Sequence, residues 1–120
     1  MKRFSLAFAT AVAVSAVTAA TAFAHVEFKS STPGKGKTAS THISTVTVTF
    51  SGPIRKGTLK VTGPGAKTYS NGSGGRDPRK ISRLRVPMKS GLKAGSYKAS
   101  WTITAADGHA EKGSFTFKLK

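Results

Sequence analysis

The chain has no cysteine, and it has almost no methionine. Without cysteine there can be neither a disulfide framework nor a thiolate metal site. Methionine occurs twice in the 120 residues, at Met1 and Met88, so thioether donors are scarce as well. Hydrophobic packing must therefore stabilise the fold, and a metal would have to be bound mainly by nitrogen and oxygen.

Charge is absent from residues 4–24, which follow the basic start Met1-Lys2-Arg3 and are rich in Ala and Val. This arrangement is typical of a secretory signal peptide. The segment ends in Ala22-Phe23-Ala24, a small-x-small cleavage pattern that places the cut before His25. Ala20-Thr21-Ala22 fits the same pattern and would place the cut before residue 23.

An uncleaved membrane anchor is the alternative, because about 20 apolar residues can span a bilayer. The many Thr, Ser and Ala residues of the segment favour cleavage. We therefore expect a signal peptide at 1–24 and a single exported domain, periplasmic or secreted, at 25–120.

Acidic residues are scarce in the expected mature chain, which carries 18 Lys and Arg against Glu27, Asp77, Asp107 and Glu111, a net charge of +14. Such an excess of basic residues usually indicates a protein that binds nucleic acid. Export leads away from nucleic acid and towards anionic lipid headgroups and cell-wall polymers, although solubility alone is another explanation. We expect no nucleic-acid partner and at most a weak contact with an anionic membrane surface, through the basic stretch 76–93.

Apolar residues alternate with period two along residues 25–120, and no stretch has a sustained helical period. The predicted strands cover 26–30, 44–50, 58–62, 80–86, 97–105 and 113–119. Residues 70–80 have no apolar side chain and predict a mobile loop. A seven-residue connection, 107–113, should join the last two strands into a hairpin, with Trp101 in the core. About seven short strands predict an all-β, immunoglobulin-like Greek-key sandwich or barrel.

Two of the three histidines lie where a metal site could form. Cleavage before His25 would give that residue a free amino nitrogen beside its imidazole, and both can chelate one metal. Asp107 and His109 flank Gly108, and their i, i+2 spacing puts both side chains on one side of an extended backbone. Three nitrogens and one oxygen form the tetragonal donor set that Cu(II) prefers, whereas zinc favours tetrahedral sites with His or Cys side chains.

Each of these residues also has a reading without metal. Asp-Gly-His is a good turn sequence, and such a pair in a hairpin is more often a capped loop than a pair of ligands. Glu27 could lie near the metal or accept a hydrogen bond from a ligand imidazole, although a surface charge is the simpler interpretation. His42 has no second soft ligand nearby and is predicted to be exposed.

Several motifs follow one another along the chain in a specific order and spacing. They are Ala24-His25, Ser30-Ser31-Thr32-Pro33 with Gly36, Val46-Thr47-Val48-Thr49-Phe50-Ser51, Leu92-Lys93-Ala94-Gly95-Ser96-Tyr97, Trp101, Asp107-Gly108-His109 and Gly113-Ser114-Phe115-Thr116-Phe117. In this arrangement the sequence resembles the periplasmic copper-binding proteins of the CopC type, over essentially all of residues 25–120.

The resemblance implies a Greek-key β-barrel that binds one Cu(II) per chain through His25, by amine and imidazole, together with Asp107 and His109. It further implies copper storage, resistance or hand-over, often beside a membrane copper transporter of the CopD type. We expect a monomer with no enzymatic activity.

The chain departs from the family pattern in three places. Some members have a methionine-rich loop that binds Cu(I), but the matching segment here reads Pro64-Gly65-Ala66-Lys67-Thr68-Tyr69, so no Cu(I) methionine site is expected. Gly52 stands where Glu is frequent, and Ala110 stands where Pro is usual. Neither departure replaces an expected ligand.

Two other functions remain open from the sequence. A copper redox enzyme could also use an N-terminal histidine, as secreted polysaccharide monooxygenases do, but Asp107 would occupy a position that oxygen needs. A metal-free immunoglobulin-like domain that binds surfaces would explain the basic stretch and would require the histidine positions to be chance.

Overall fold

Alternation of inward apolar and outward polar side chains produces eight β-strands in residues 26–120, the part of the chain that the computed structural model describes. The expected signal peptide and His25 lie outside the described residues. The strands are β1 (Phe28–Thr32), β2 (Thr38–Ala39), β3 (Thr45–Phe50), β4 (Ile54–Thr62), β5 (Gly75–Arg76), β6 (Arg83–Pro87), β7 (Gly95–Ala105) and β8 (Ala110–Leu119).

The strands form two four-stranded sheets that face each other. The first sheet has the order β1-β3-β6-β5 and the second has the order β2-β8-β7-β4. All pairs are antiparallel except β2 with β8. The chain crosses between sheets after β1, β2, β3, β4 and β6, and this confirms the predicted all-β Greek-key sandwich. Within residues 26–120, no helix is long and apolar enough to span a membrane.

The core lies between the sheets, and Trp101 is part of it, as predicted. The Trp101 side chain contacts Phe50 edge to face, with 4.9 Å between ring centroids. Opposite Trp101 on β8 stands Gly113, where a Cβ atom would overlap the indole ring. The absence of a side chain at Gly113 therefore lets Trp101 lie against β8, a close approach that only glycine permits.

The predicted loop at 70–80 is wrong in part, because this segment contains β5 and two buried polar residues. Ser70 is buried although its side chain is polar. Its Oγ accepts a hydrogen bond of 2.9 Å from the backbone N–H of Val61 on β4. The backbone N–H of Leu59 donates to the carbonyl oxygen of Ser73. The segment thus pairs with the outer edge of β4, which would otherwise be left as an open strand edge.

Several strand limits also differ from the predictions. The first strand begins two residues later than expected, and β4 begins four residues earlier, at Ile54. The connection between β7 and β8 is four residues long, 106–109, instead of seven, because β8 already begins at Ala110. The shorter connection places the Asp-Gly-His motif in a tight hairpin turn.

Candidate metal centre

The Asp-Gly-His motif forms the turn between β7 and β8. The N–H of Ala105 donates to the carbonyl oxygen of His109 at 2.8 Å, and the N–H of Gly108 donates to the carbonyl oxygen of Ala105 at 2.9 Å. Gly108 has a φ of 94°, in the region that favours glycine. The motif therefore forms a capped turn, and the extended backbone expected at 107–109 is not observed.

The turn brings the two candidate ligands into direct contact. Oδ1 of Asp107 accepts a hydrogen bond from the backbone N–H of His109 at 3.0 Å, and Oδ2 lies 2.8 Å from the imidazole Nδ1 of His109. Both side chains are accessible, with 55% of His109 and 30% of Asp107 exposed. The predicted placement of the two side chains on one side is thus achieved by a turn instead of a strand.

The same contacts change the acidity of Asp107. The backbone N–H of His109, and then its imidazole, favour the carboxylate form and lower the pKa of Asp107, whereas partial burial opposes them. The lowered pKa extends the pH range in which this carboxylate is ionised towards more acidic values. An ionised carboxylate that holds Nδ1 of an imidazole is the arrangement that commonly orients a metal-binding histidine.

Arg55 is a residue of this turn that the sequence analysis missed. Its guanidinium Nη2 donates a hydrogen bond of 2.8 Å to the carbonyl oxygen of Ala106, across 51 residues of chain. Arg55 follows the bend at 51–53, and no local pattern links it to a motif so distant in sequence. This hydrogen bond stabilises the backbone directly before Asp107, and it holds the positively charged guanidinium at the carbonyl oxygen of Ala106.

The beginning of the described chain lies at the same end of the sandwich as the turn. Ser51 makes two hydrogen bonds of 2.8 Å with the backbone of Glu27, one through its Oγ and one through its N–H. Val26 is buried and lies 3.5 Å from where a Cβ atom on Gly52 would be. The carbonyl oxygen of Pro53 accepts from the N–H of Ala106 at 3.3 Å. The bend at 51–53 therefore contacts the chain start on one side and the turn on the other.

The remaining site predictions concern Glu27 and His42, which the structure describes, and His25, which lies outside the described residues. Glu27 is exposed, and its contacts with Ser51 are made by its backbone. His42 is exposed as predicted. Among residues 26–120, no three His, Cys, Asp or Glu side chains lie close enough together to hold a metal ion. His25, the expected source of two ligands, lies outside the described residues.

Solved structures with the same fold include proteins from two bacteria. CopC from Methylosinus trichosporium OB3b has a TM-score of 0.66 and 18% sequence identity, over 80% of this chain and 94% of that one. PcoC, a methionine-rich copper resistance protein from Escherichia coli, has a TM-score of 0.65 and 21% identity, over 80% of this chain and 99% of that one. These similarities show the two-sheet fold.

Sequence comparison extends over almost the whole chain. Protein YobA of Escherichia coli K12 is 27% identical over 118 residues, which cover 97% of this chain and 95% of YobA. The CopC domain family matches residues 28–120, more than three quarters of the sequence. The chain therefore belongs to the CopC domain family.

Proposed function

We propose that this chain, once residues 1–24 are removed, is an exported protein that binds one Cu(II) at the end of the sandwich that carries the Asp107 turn. The proposed ligands are the amino and imidazole nitrogens of His25, the imidazole of His109 and the carboxylate of Asp107. Family membership supports the copper ligand, and PcoC, a protein of the same fold, is described as a copper resistance protein.

The observation that carries this proposal is the short link between the chain start and the turn. Val26 contacts the bend at 51–53, and the same bend is hydrogen bonded to Ala106, directly before Asp107. Val26, the first residue that the structure describes, therefore lies at the end of the sandwich where Asp107 and His109 are in contact, which supports a ligand contributed by the residue before it.

The donor chemistry of the turn suits Cu(II). We propose Nε2 of His109 as the nitrogen that binds the metal. Because Nδ1 and Nε2 point to opposite sides of the ring, Asp107 binds the same metal only when Oδ2 leaves Nδ1, while Oδ1 keeps the hydrogen bond from the His109 N–H. Two imidazoles, an amine and a carboxylate supply the hard and borderline donors of a tetragonal Cu(II) site.

A second, soft-ligand copper site is not part of the proposal. Met88 is the only methionine beyond the leader, and its side chain is buried in the core. Cu(I) prefers thiolate and thioether ligands, which this chain cannot supply in number. In this respect it contrasts with PcoC, which is described as methionine-rich.

The proposed role is storage and hand-over of copper outside the cytoplasm, without catalysis. Four protein donors would hold Cu(II) firmly, and reduction to Cu(I), which favours softer ligands, would weaken the site and allow release. A membrane copper transporter of the CopD type is the proposed recipient, and the carrier is proposed to act as a monomer.

The test is a Cu(II) titration of the chain beginning at His25, followed by electron paramagnetic resonance. The matched control is the same chain extended by one Ala, which removes the terminal amine of His25 from the metal. His42→Ala controls for loss of a histidine, because His42 follows β2, at the opposite end of β8 from the turn. We expect one tetragonal, nitrogen-rich signal that saturates at about one copper per chain.

The outcomes separate the competing functions. Loss or change of the signal in the extended chain, with no change in His42→Ala, would support the N-terminal site. A signal that is identical in the extended chain would remove His25 from the ligand set. Absence of a specific signal in every variant would overturn the copper proposal and leave a metal-free β domain. Oxidation of ascorbate with release of peroxide would instead favour the redox enzyme.

A further inference from the structure

The outer face of the second sheet carries five exposed lysines that the sequence analysis did not group. They are contributed by β4, β7 and β8, and we call them the lysine face: Lys56, Lys60, Lys98, Lys112 and Lys118. Along the chain these residues are separated by up to 62 positions, so only the pairing of the strands brings them together. Two adjoining shallow depressions on this face share Thr58, Thr102 and Lys112.

Each outward-facing residue of β7 and its paired residues on β4 and β8 form a row across the sheet, and each of five successive rows contains one lysine. The rows run through residues 104, 102, 100, 98 and 96 of β7, and their lysines are, in that order, Lys56, Lys112, Lys60, Lys98 and Lys118. Rows two residues apart are separated by roughly 7 Å, so the face extends for about 27 Å along the strands. This spacing limits repulsion between the lysines while it covers the whole face with positive charge.

The side chains between the lysines are small. The other members of the rows are threonines, serines and one alanine, and the hydroxyls of Thr58 and Thr102 lie 2.6 Å apart across the strands. A flat face with no large neighbours lets each ammonium group reach the same plane, because a lysine stem extends beyond Ser and Thr. The face has no aromatic or large apolar side chain that would stack on a base or insert into a bilayer.

None of the four acids beyond the leader lies in these rows. Asp77 is buried in the loop beside the first sheet, Glu27 precedes β1, and Asp107 lies in the turn. Glu111 borders one depression but occupies the row of Ile103, whose side chain points into the core. Glu111 is thus the only one of these four acids that borders the lysine face, so its five lysines are accompanied by at most one carboxylate.

The basic stretch 76–93, where the sequence placed a contact with anionic membranes, is arranged differently. Arg83 forms an ion pair with Asp77 at 2.9 Å, and Arg76 donates to the carbonyl oxygen of Ile54 at 3.2 Å. The ammonium of Lys89 donates to the carbonyl oxygen of Thr68 at 3.3 Å. Three of its cations therefore stabilise the fold.

We propose that the lysine face is a docking surface for an anionic lipid bilayer. Five positive charges spread over three strands match a plane of phosphate headgroups, whereas a linear polyanion would follow one line of charges or a groove. Attraction without insertion gives reversible binding that depends on salt. Docking by this face would lay β7 and β8 along the bilayer and place the turn at 106–109 at one edge of the contact.

This inference does not depend on copper, and it is tested with copper-free protein. The chain from His25 to Lys120, which contains both sheets and the core, is mixed with vesicles of phosphatidylcholine with roughly 30% phosphatidylglycerol. Pure phosphatidylcholine vesicles are the neutral control. Binding is measured by co-sedimentation at about 0.1 M and about 0.5 M salt, because the screening length shortens with ionic strength.

The deciding comparison is between two triple variants with the same net charge. Lys60→Gln, Lys98→Gln and Lys112→Gln change the lysine face, while Lys67→Gln, Lys80→Gln and Lys93→Gln change exposed lysines elsewhere. Each lysine near an anionic surface contributes about a fivefold gain in binding, so the face variant should bind on the order of a hundredfold more weakly. The control variant should lose much less, and both should melt as the parent does.

Three results would overturn the proposal. Equal loss in the two variants would mean that net charge alone determines binding. Binding that persists at 0.5 M salt, or that is equal on neutral vesicles, would exclude an electrostatic contact. If the parent bound soluble polyphosphate but no vesicles, and the face variant lost that binding, the face would serve linear polyanions instead of a bilayer.

Discussion

Two aspartates of this chain make the same turn with different partners. Asp77 accepts a hydrogen bond from the backbone N–H two residues later, that of Arg79, at 2.9 Å. Asp107 accepts the equivalent bond from His109 at 3.0 Å. In each case the second carboxylate oxygen contacts a basic side chain, the guanidinium of Arg83 or the imidazole of His109. Both are Asx-type turns with the same pattern of contacts, one to a backbone N–H and one to a basic side chain.

The difference lies in burial and in the partner. Asp77 is 4% exposed, and its partner is always protonated, so the pair can only stabilise the loop that covers β4. The side chain of Asp107 is 30% exposed, and its partner has a ring nitrogen that can bind a metal. The comparison teaches that an Asx turn becomes a candidate site only when its second partner is a metal-binding group that solvent can reach.

The largest effect that tests this comparison is expected from His109→Ala. Loss of this proposed imidazole ligand should raise the Kd for Cu(II) by about a hundredfold, about 2.7 kcal/mol. The melting temperature of the copper-free protein should change by less than about 2 °C, because the His109 side chain is more than half exposed. A titration against a competing chelator and calorimetry measure the two quantities. Unchanged affinity for Cu(II) would mean that the Asp107 turn, like the Asp77 turn, only stabilises the fold.

The reverse result is expected from Asp77→Ala. This change leaves the Arg79 N–H and the Arg83 guanidinium without their acceptor, so the melting temperature should fall by on the order of 10 °C. Affinity for Cu(II) should stay within about twofold of the parent, because the proposed site does not use Asp77. Calorimetry and the same copper titration measure both.

Asp77→Asn is the graded control, since an amide oxygen can still accept from Arg79. Its melting temperature should lie between those of the parent and Asp77→Ala. A loss of copper affinity with either variant would mean that the loop at 70–80 and the turn are coupled, and the two aspartates could then not be treated as separate cases.

The sequence predicted the fold well because period-two alternation reports directly which side of a strand is buried. It therefore located β3, β7 and β8 within a few residues and placed Trp101 in the core. It failed at 70–80, because that segment is ordered by polar contacts with β4 and by the Asp77 ion pair, which leave no apolar pattern. Two-residue strands such as β2 and β5 are too short for any period to appear.

For the site, the sequence identified the motif but not its local geometry. Asp107 and His109 were found by their spacing, and the structure brings them into contact. Arg55 was missed because its contact with Ala106 depends on strand β4 lying beside β7. The lysine face was missed for the same reason, since each of its rows joins residues from strands far apart in sequence.

A smaller effect is expected from Asp107→Asn. The amide oxygen can keep the turn by accepting from the His109 N–H, but the charge and the stronger donor are lost. We expect Cu(II) affinity to fall about tenfold, and the copper-free melting temperature to change by less than about 2 °C. Electron paramagnetic resonance would show whether an oxygen donor has been lost. An unchanged signal with weaker binding would mean that Asp107 orients His109 without binding the metal.

The smallest expected effect is on the acid side of the stability profile. The Arg79 N–H and the Arg83 side chain together outweigh burial and hold the pKa of Asp77 below its usual range. Because the folded pKa is below the unfolded value of about 3.9, the contribution is complete above about pH 5 and is lost as pH falls through the folded pKa. The melting temperature of the parent should therefore fall more steeply between about pH 5 and pH 3 than that of Asp77→Asn, by a few degrees. Parallel curves would show that ionisation of Asp77 contributes nothing to stability, so that neither the Arg79 N–H nor the Arg83 side chain favours the carboxylate over the neutral acid in the folded chain.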